Sequence, residues 1–269
     1  MQPTPFSTTA LIGQRALVGG STQGIGRAIA ELLAQMGATV TLLARNAERL
    51  QHTVAELPSA AGQAHDFIVA DFTVASTVAT QVRAYLETHP AGFDILVNNT
   101  GGPPGGPILT APVEAFRAAF EQHLMCNHML AQALVPAMQS RGYGRIINII
   151  STSVKQPLPN LGVSNTIRAA VANWAKTLAN EVAGDGITVN NVLPGATVTQ
   201  RHTSLIEQKS SQSGQSVAEI EAQMQYLIPA HRFGEAAEVA AAVAFLASPA
   251  AGYITGINVP VDGGRTGSL

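Results

Sequence analysis

The chain is short of the residues that build covalent and metal staples. Its 269 residues include one cysteine, one tryptophan and four tyrosines, and only 12% are charged. A single thiol, Cys126, excludes both an intramolecular disulfide and a cysteine-based zinc site. The seven histidines are scattered without metal-ligand spacing, so no metal is expected. Long basic runs are missing as well, and the net charge is −2. That leaves out the electrostatic footprint of a nucleic-acid or anionic-membrane binder, and a small molecule is the expected partner. No apolar stretch reaches the length of about 18 residues that a membrane span needs. The opening MQPTPFSTTA lacks a basic start followed by an apolar core, so a cytoplasmic protein is expected.

What the chain has is apolar content, 46%, over a length that fits one α/β domain, residues 1–269. Few charges and many apolar residues suit a sheet buried on both faces, with more surface buried in a homo-oligomer. Short Val- and Ile-rich runs alternate with longer helical patterns. The pattern predicts strands near 15–19, 38–44, 66–70, 93–97, 144–150, 187–193 and 257–261. Helices are predicted at 24–36, 46–57, 74–88, 112–140, 162–183 and 235–247. This is an α/β fold: a doubly wound, mostly parallel seven-stranded sheet with helices on both faces. Residues 196–233 hold no strand pattern. Leu205, Ile206, Val217, Ile220, Met224 and Leu227 suggest one or two amphipathic helices there, in a segment long enough to be a substrate lid. Within it Gln208 to Ser216, polar and small, is expected to be mobile.

The first strand runs into Gly19, Gly20, Ser21, Thr22, Gln23, Gly24, Ile25 and Gly26, and then into a helix. Glycines permit a tight turn and close backbone approach, and a helix N-terminus offers unpaired N–H groups to a pyrophosphate. Strand, glycines and helix together predict a dinucleotide site in the first βαβ unit. The second strand ends in Ala44, where an NAD enzyme needs an acidic residue for the adenosine ribose. Arg45 follows, and a guanidinium grips a 2′-phosphate through paired, charge-assisted bonds. NADP(H) is therefore favoured over NAD(H), the alternative being a surface arginine in a turn.

These residues resemble the short-chain dehydrogenase/reductase family, whose signature is TGxxxGxG. Gly20, Gly24 and Gly26 match it, while Gly19 replaces the threonine. Asp71, Asn98-Asn99-Thr100-Gly101 for the family's NNAG, Pro194-Gly195, and Asp262-Gly263-Gly264 in the tail extend the match over nearly the whole chain. The stretch RFGEAAEVAAAVAFLASPAAGYITG is most similar to the 3-oxoacyl-[acyl-carrier-protein] reductase branch. The resemblance implies a Rossmann-type fold, a nicotinamide cofactor, a carbonyl or alcohol substrate, and a tetramer or dimer built on the long helices. It also implies cofactor contacts from Asp71 and Phe72 near adenine and from Asn98, Thr100 and Gly101 along the ribose. Pro194, Gly195, Thr197 and Thr199 fall near the carboxamide.

The catalytic positions depart from the family. There a serine polarises the carbonyl, a tyrosine moves the proton, a lysine four residues on binds the ribose, and an asparagine holds a relay water. The serine position is Ser151, whose alternative role is a turn former. The tyrosine and lysine positions are Ser164 and Arg168, four apart and so on one helix face. An aliphatic hydroxyl is a far weaker acid than a phenol, and Arg stays protonated. The asparagine position is His123, able to hold a water or titrate near neutrality, or else simply packed; Asn127 is a substitute one turn on. Two readings follow: an NADP(H)-dependent oxidoreductase with a non-standard proton donor, or a catalytically silent NADP(H)-binding sensor or partner subunit.

Overall fold

The structure, a computed structural model, describes residues 7–268. Residues 1–6, which open the MQPTPFSTTA segment, and residue 269 lie outside the described residues. Seven strands form one sheet: β1 (Arg15–Gly19), β2 (Thr39–Ala44), β3 (Asp66–Val69), β4 (Ile95–Asn98), β5 (Gly144–Ile149), β6 (Ile187–Pro194) and β7 (Asn258–Val261). Their order is β3-β2-β1-β4-β5-β6-β7, and each pairing is parallel. The chain reverses its winding between β1 and β4, so a crevice opens beyond their carboxyl ends.

Alternating strand residues feed two cores. Val18, Val40, Leu42, Ile147 and Val192 pack against α1 (Gly24–Gln35) and α9 (Ala236–Ala247) on one face. Leu17, Leu43, Leu96, Ile146 and Val189 pack on the other against α3 (Ala75–Thr88), α5 (Cys126–Arg141) and α6 (Gly162–Val182). The period of two in the sequence is this division. Among the described residues no helix is long and apolar enough to cross a membrane.

Two expectations need correction. The helix predicted over 112–140 is α4 (Val113–Phe120), a π-helical turn at Glu121–Met125, and then α5. A π turn inserts an extra residue into the helical repeat, which apolar periodicity does not report. The stretch Gln208 to Ser216, expected to be mobile, is largely helical: α7 (Gln200–Ser213) runs through most of it and α8 (Val217–Tyr226) follows. Thr199 caps α7, accepting from His202 N–H at 3.2 Å, and Gly214 ends it at φ +73°. Ser216 and Glu219 form a reciprocal capping box on α8. Polar composition masked these caps. Between the two helices Ile206, Ile220, Ile228 and Phe233 form a small separate core.

A buried polar row crosses the sheet near its carboxyl end. Asn98 donates to Asn148 at 2.8 Å, Asn148 to Asn191 at 2.9 Å, and Asn191 to Asn258 at 2.8 Å. These residues are in register on adjacent strands.

Candidate active site

The crevice is a cleft of about 520 Å³. At one end the glycine turn is closed by Asn99, whose Nδ2 donates to Gly19 O at 3.1 Å. A Cβ on Gly20 would stand 2.8 Å from both Nδ2 and O of Asn99, and Gly20 holds φ +57°. One on Gly26 would stand 2.2 Å from Gly20 O. Gly19 explains its own departure from the signature: a Cβ there would lie 2.9 Å from Asn99 O and 3.2 Å from Phe72 Cζ, so this turn has no room for a threonine. Such close backbone packing leaves the N–H groups at the start of α1 facing the cleft.

Ala44 and Arg45 line the same end, with Asp71 and Phe72 opposite. Asn46 then caps α2 (Ala47–Glu56), accepting from Arg49 N–H at 2.8 Å. Thr22, Gln23, Gly24, Ile25, Thr100, Gly101, Pro194, Gly195 and Thr199 also line the cleft, as expected. Three cofactor assignments shift. The Ser21 side chain is fully buried, accepting from Leu43 N–H at 3.2 Å. Asn98 is buried in the asparagine row, and Thr197 is buried, its hydroxyl directed to Gly195 O at 3.3 Å. Their side chains hold the cleft walls from behind.

At the other end Ser151, Ser164 and Arg168 come together on the lining. Ser151 stands at the exit of β5, where its Oγ accepts from Ser153 N–H at 3.1 Å. Ser164 and Arg168 share the cleft face of α6. Gly162 starts that helix because Ile108 lies against it, 2.5 Å from where a Cβ would stand. The Gly106–Leu161 bridge ties the 101–110 loop to the same point.

Arg168 is 8% exposed; its Nη1 donates to Ile149 O at 2.8 Å and its Nε has no partner. Burial, and then the charge of Arg201, pushes its pKa down to about 10, so it remains a cation. His123 does not line the cleft. It sits in the π turn behind Thr100, with Thr100 Oγ1 and His123 Nδ1 2.7 Å apart and Nε2 buried without a partner. Burial, followed by the charges of Arg168 and Arg201, pushes its pKa to about 2. The expectation of titration near neutrality therefore fails: His123 is a neutral imidazole fixing a hydroxyl. Asn127 is likewise buried, at 3.5 Å from Asn148 in the asparagine row. Tyr226 is 79% exposed and outside the cleft.

Sequence reasoning missed Arg201 and the Thr100–His123 pair. Arg201, the second residue of α7, donates from Nη1 to Gly102 O at 2.6 Å and from Nη2 to Pro103 O at 3.0 Å. Its signal was a basic residue two places after Thr199. The signal for the pair was Thr100 itself, which stands where NNAG has alanine, together with the change to His123.

The chain belongs to the short-chain dehydrogenase/reductase family, and so to a family of oxidoreductases. The family profile described as enoyl-(acyl carrier protein) reductase matches residues 20–266. A 3-oxoacyl-[acyl-carrier-protein] reductase, FabG, of Vibrio cholerae serotype O1 is 35% identical over 94% of this chain and 98% of its own length. The NADPH-dependent reductase BacG of Bacillus subtilis is 30% identical over 94% and 98%. The crystal structure of L-sorbose reductase from Gluconobacter frateurii, complexed with NADPH and L-sorbose, superposes with a TM-score of 0.91 at 33% identity, covering 97% of this chain and all of that one.

Proposed function

We propose that the chain is an NADP(H)-dependent reductase of a small carbonyl compound, running with a hydroxyl-based proton route in place of the family's tyrosine. The observation that carries this reading is the convergence of Ser151, Ser164 and Arg168 at one end of a cleft whose other end is a closely packed glycine turn. The cradle fits a dinucleotide, because Gly20 and Gly26 let the turn fold tightly on itself and on Asn99, which sets the N-terminus of α1 at the cleft. NADP(H) is favoured by Arg45 beside the non-acidic Ala44, and NADPH-dependent relatives support the same preference.

Bound NADPH would supply the hydride. Ser151 holds the carbonyl oxygen by donating its hydroxyl proton. Arg168 replaces lysine at the ribose: it keeps a fixed positive charge, has Nη donors beyond the one that bonds Ile149 O, and cannot act as an acid. Ser164 stands at the tyrosine's position and relays a proton from solvent: as its hydroxyl proton goes to the forming alkoxide, its oxygen takes one from a water in the cleft, and the hydroxide left over passes to bulk solvent. Thr100, its hydroxyl held by the neutral His123, lines the cleft beside the hydroxyls of Ser151 and Ser164. Positioned proton transfer contributes about 10²–10⁴-fold, so a site that aligns donor and carbonyl keeps most of its advantage when that step is poor. The reading includes a homotetramer or dimer, supported by exposed apolar side chains such as Val113 and Phe120 on α4 and Tyr253 near β7.

Calorimetry with NADPH and NADH, followed by NADPH consumption across carbonyls that include 3-oxoacyl thioesters, tests the reading. The expected result is tighter NADPH binding and turnover that Ser151→Ala lowers by roughly 100-fold. Tight NADPH binding with no turnover on any carbonyl selects the silent sensor, and failure to bind either dinucleotide ends both readings. Gel filtration tests the assembly, which a monomer would exclude.

A further inference from the structure

Two guanidinium groups meet at the substrate end of the cleft with no acid between them. Arg168 comes from α6 and Arg201 from the lid helix α7, and they flank Gly102. A Cβ on Gly102 would stand 3.1 Å from Arg201 Nη2 and 3.3 Å from Arg168 Nη2. Neither arginine takes part in any ion pair among the described residues. Among the described residues Asp71 is the one acidic side chain on the cleft lining, and it stands with Phe72 near Arg45 at the adenine end.

Both arginines bond only to backbone carbonyls, which leaves most of their donors unused. A guanidinium has five N–H donors; Arg201 commits one from each Nη, and Arg168 commits a single Nη1. Two like charges side by side, with few waters around the inner one, repel each other and favour an anion between them. Arg168 is the independent second feature: it is more than nine-tenths buried, lines the cleft, and has an Nε without a partner.

Two anions could answer this demand, a cofactor phosphate or a charged group on the substrate. The pyrophosphate belongs at the glycine turn, where Thr199 Cγ2 closes the space 3.2 Å from the Cβ position of Gly24. Arg201 points away from that turn, onto Gly102 and Pro103. We propose that Arg201, with Arg168 behind it, selects carbonyl substrates that carry a carboxylate, binding it bidentately from the lid. This rests on the reductase reading and names its substrate class. Closing α7 over such a substrate would join the lid to the 101–110 loop through both the carboxylate and the existing carbonyl bonds.

The test uses the NADP⁺-loaded full chain and matched probes: pyruvate, 4-oxopentanoate and a longer 2-oxo acid, each beside its methyl ester. Calorimetry reads binding, and NADPH oxidation reads turnover. At least one acid is expected to bind roughly 10- to 100-fold more tightly than its ester, the value of a charge-assisted pair. Arg201→Gln should erase that difference, Arg201→Lys should retain part of it, and the affinity for NADPH should follow neither change. Equal binding of every acid and its ester by the native chain overturns the proposal. So does a loss in Arg201→Gln that is as large for ester as for acid, which marks a structural latch, or a loss that falls on NADPH, which assigns Arg201 to a cofactor phosphate. Acid-selective binding without turnover would uphold this site while ending the reductase reading; turnover of esters with no preference for acids would do the reverse.

Discussion

The two ends of the cleft differ in what holds them. The glycine-turn end is built largely from backbone: Gly19 and Gly20 pressed against Asn99, Gly26 pressed against Gly20, and a helix N-terminus. The opposite end is built from side chains, and on the proposed reading Ser164, Arg168 and Thr100, with His123 behind Thr100, stand in place of the family's residues while Ser151 keeps its own. Close backbone packing leaves little room for side chains, so the glycine turn keeps Gly20, Gly24 and Gly26 even where Gly19 departs from the signature. A side-chain site can be re-equipped as long as its supports stay, and here the supports are the asparagine row and the Gly162–Ile108 contact. The difference is what the proposed function reads as a replaced apparatus on a preserved cradle.

The largest effect should come from the cradle. Gly26→Ala places a carbon 2.2 Å from Gly20 O, so the turn must open, and NADPH affinity should fall by roughly 100-fold or more in calorimetry. An unchanged affinity would break the claim that the glycine turn has little room for side chains. Next comes the support of the other end. Asn148→Leu strands the buried amide of Asn98 and the carbonyl of Asn191, and it should cost about 3 kcal/mol in chemical denaturation. A loss below about 0.5 kcal/mol would mean that the row supports nothing. Arg45→Ala should weaken NADPH by roughly 10-fold while leaving NADH within a factor of two, as expected for one charged phosphate contact. Equal losses for both dinucleotides would show Arg45 to be a plain turn residue.

A further effect is a pH dependence of stability. His123 in the folded chain takes a proton only near pH 2, whereas in the unfolded chain it takes one near its ordinary value of 6.5. The unfolded state therefore binds the extra proton between those limits, and stability is full above about pH 6.5 and drains as pH falls. His123→Asn removes that contribution, so its melting temperature should fall less steeply than the native chain's between pH 6 and 4. Parallel profiles would mean that His123 is not held neutral by the fold.

The sheet and its helices were legible in the sequence because burial on both faces leaves continuous apolar runs between helical periods. The cradle was legible because a turn that presses backbone against backbone needs glycine at Gly20, Gly24 and Gly26 together. The π turn was not, since its effect on Cys126 and Asn127 is a rotation rather than a change of period. Ser21, Asn98 and Thr197 could be placed near the cleft, but a position in the chain does not say which way a side chain points. His123 was found by register, yet its neutrality depends first on burial and then on the charges of Arg168 and Arg201, which only the fold brings near it. Arg201 itself lay in the 196–233 segment before the apolar residues that suggested its helices, and the Thr199 cap shows why α7 starts there.

The central claim is that the replaced set is itself the working one. It is tested most directly by NADPH oxidation against the carbonyl panel, with the native chain beside the double variant Ser164→Tyr with Arg168→Lys. A working set gives turnover by the native chain that depends on Ser151, with the double variant no better on the same substrate. Activity that appears only in the double variant would contradict it.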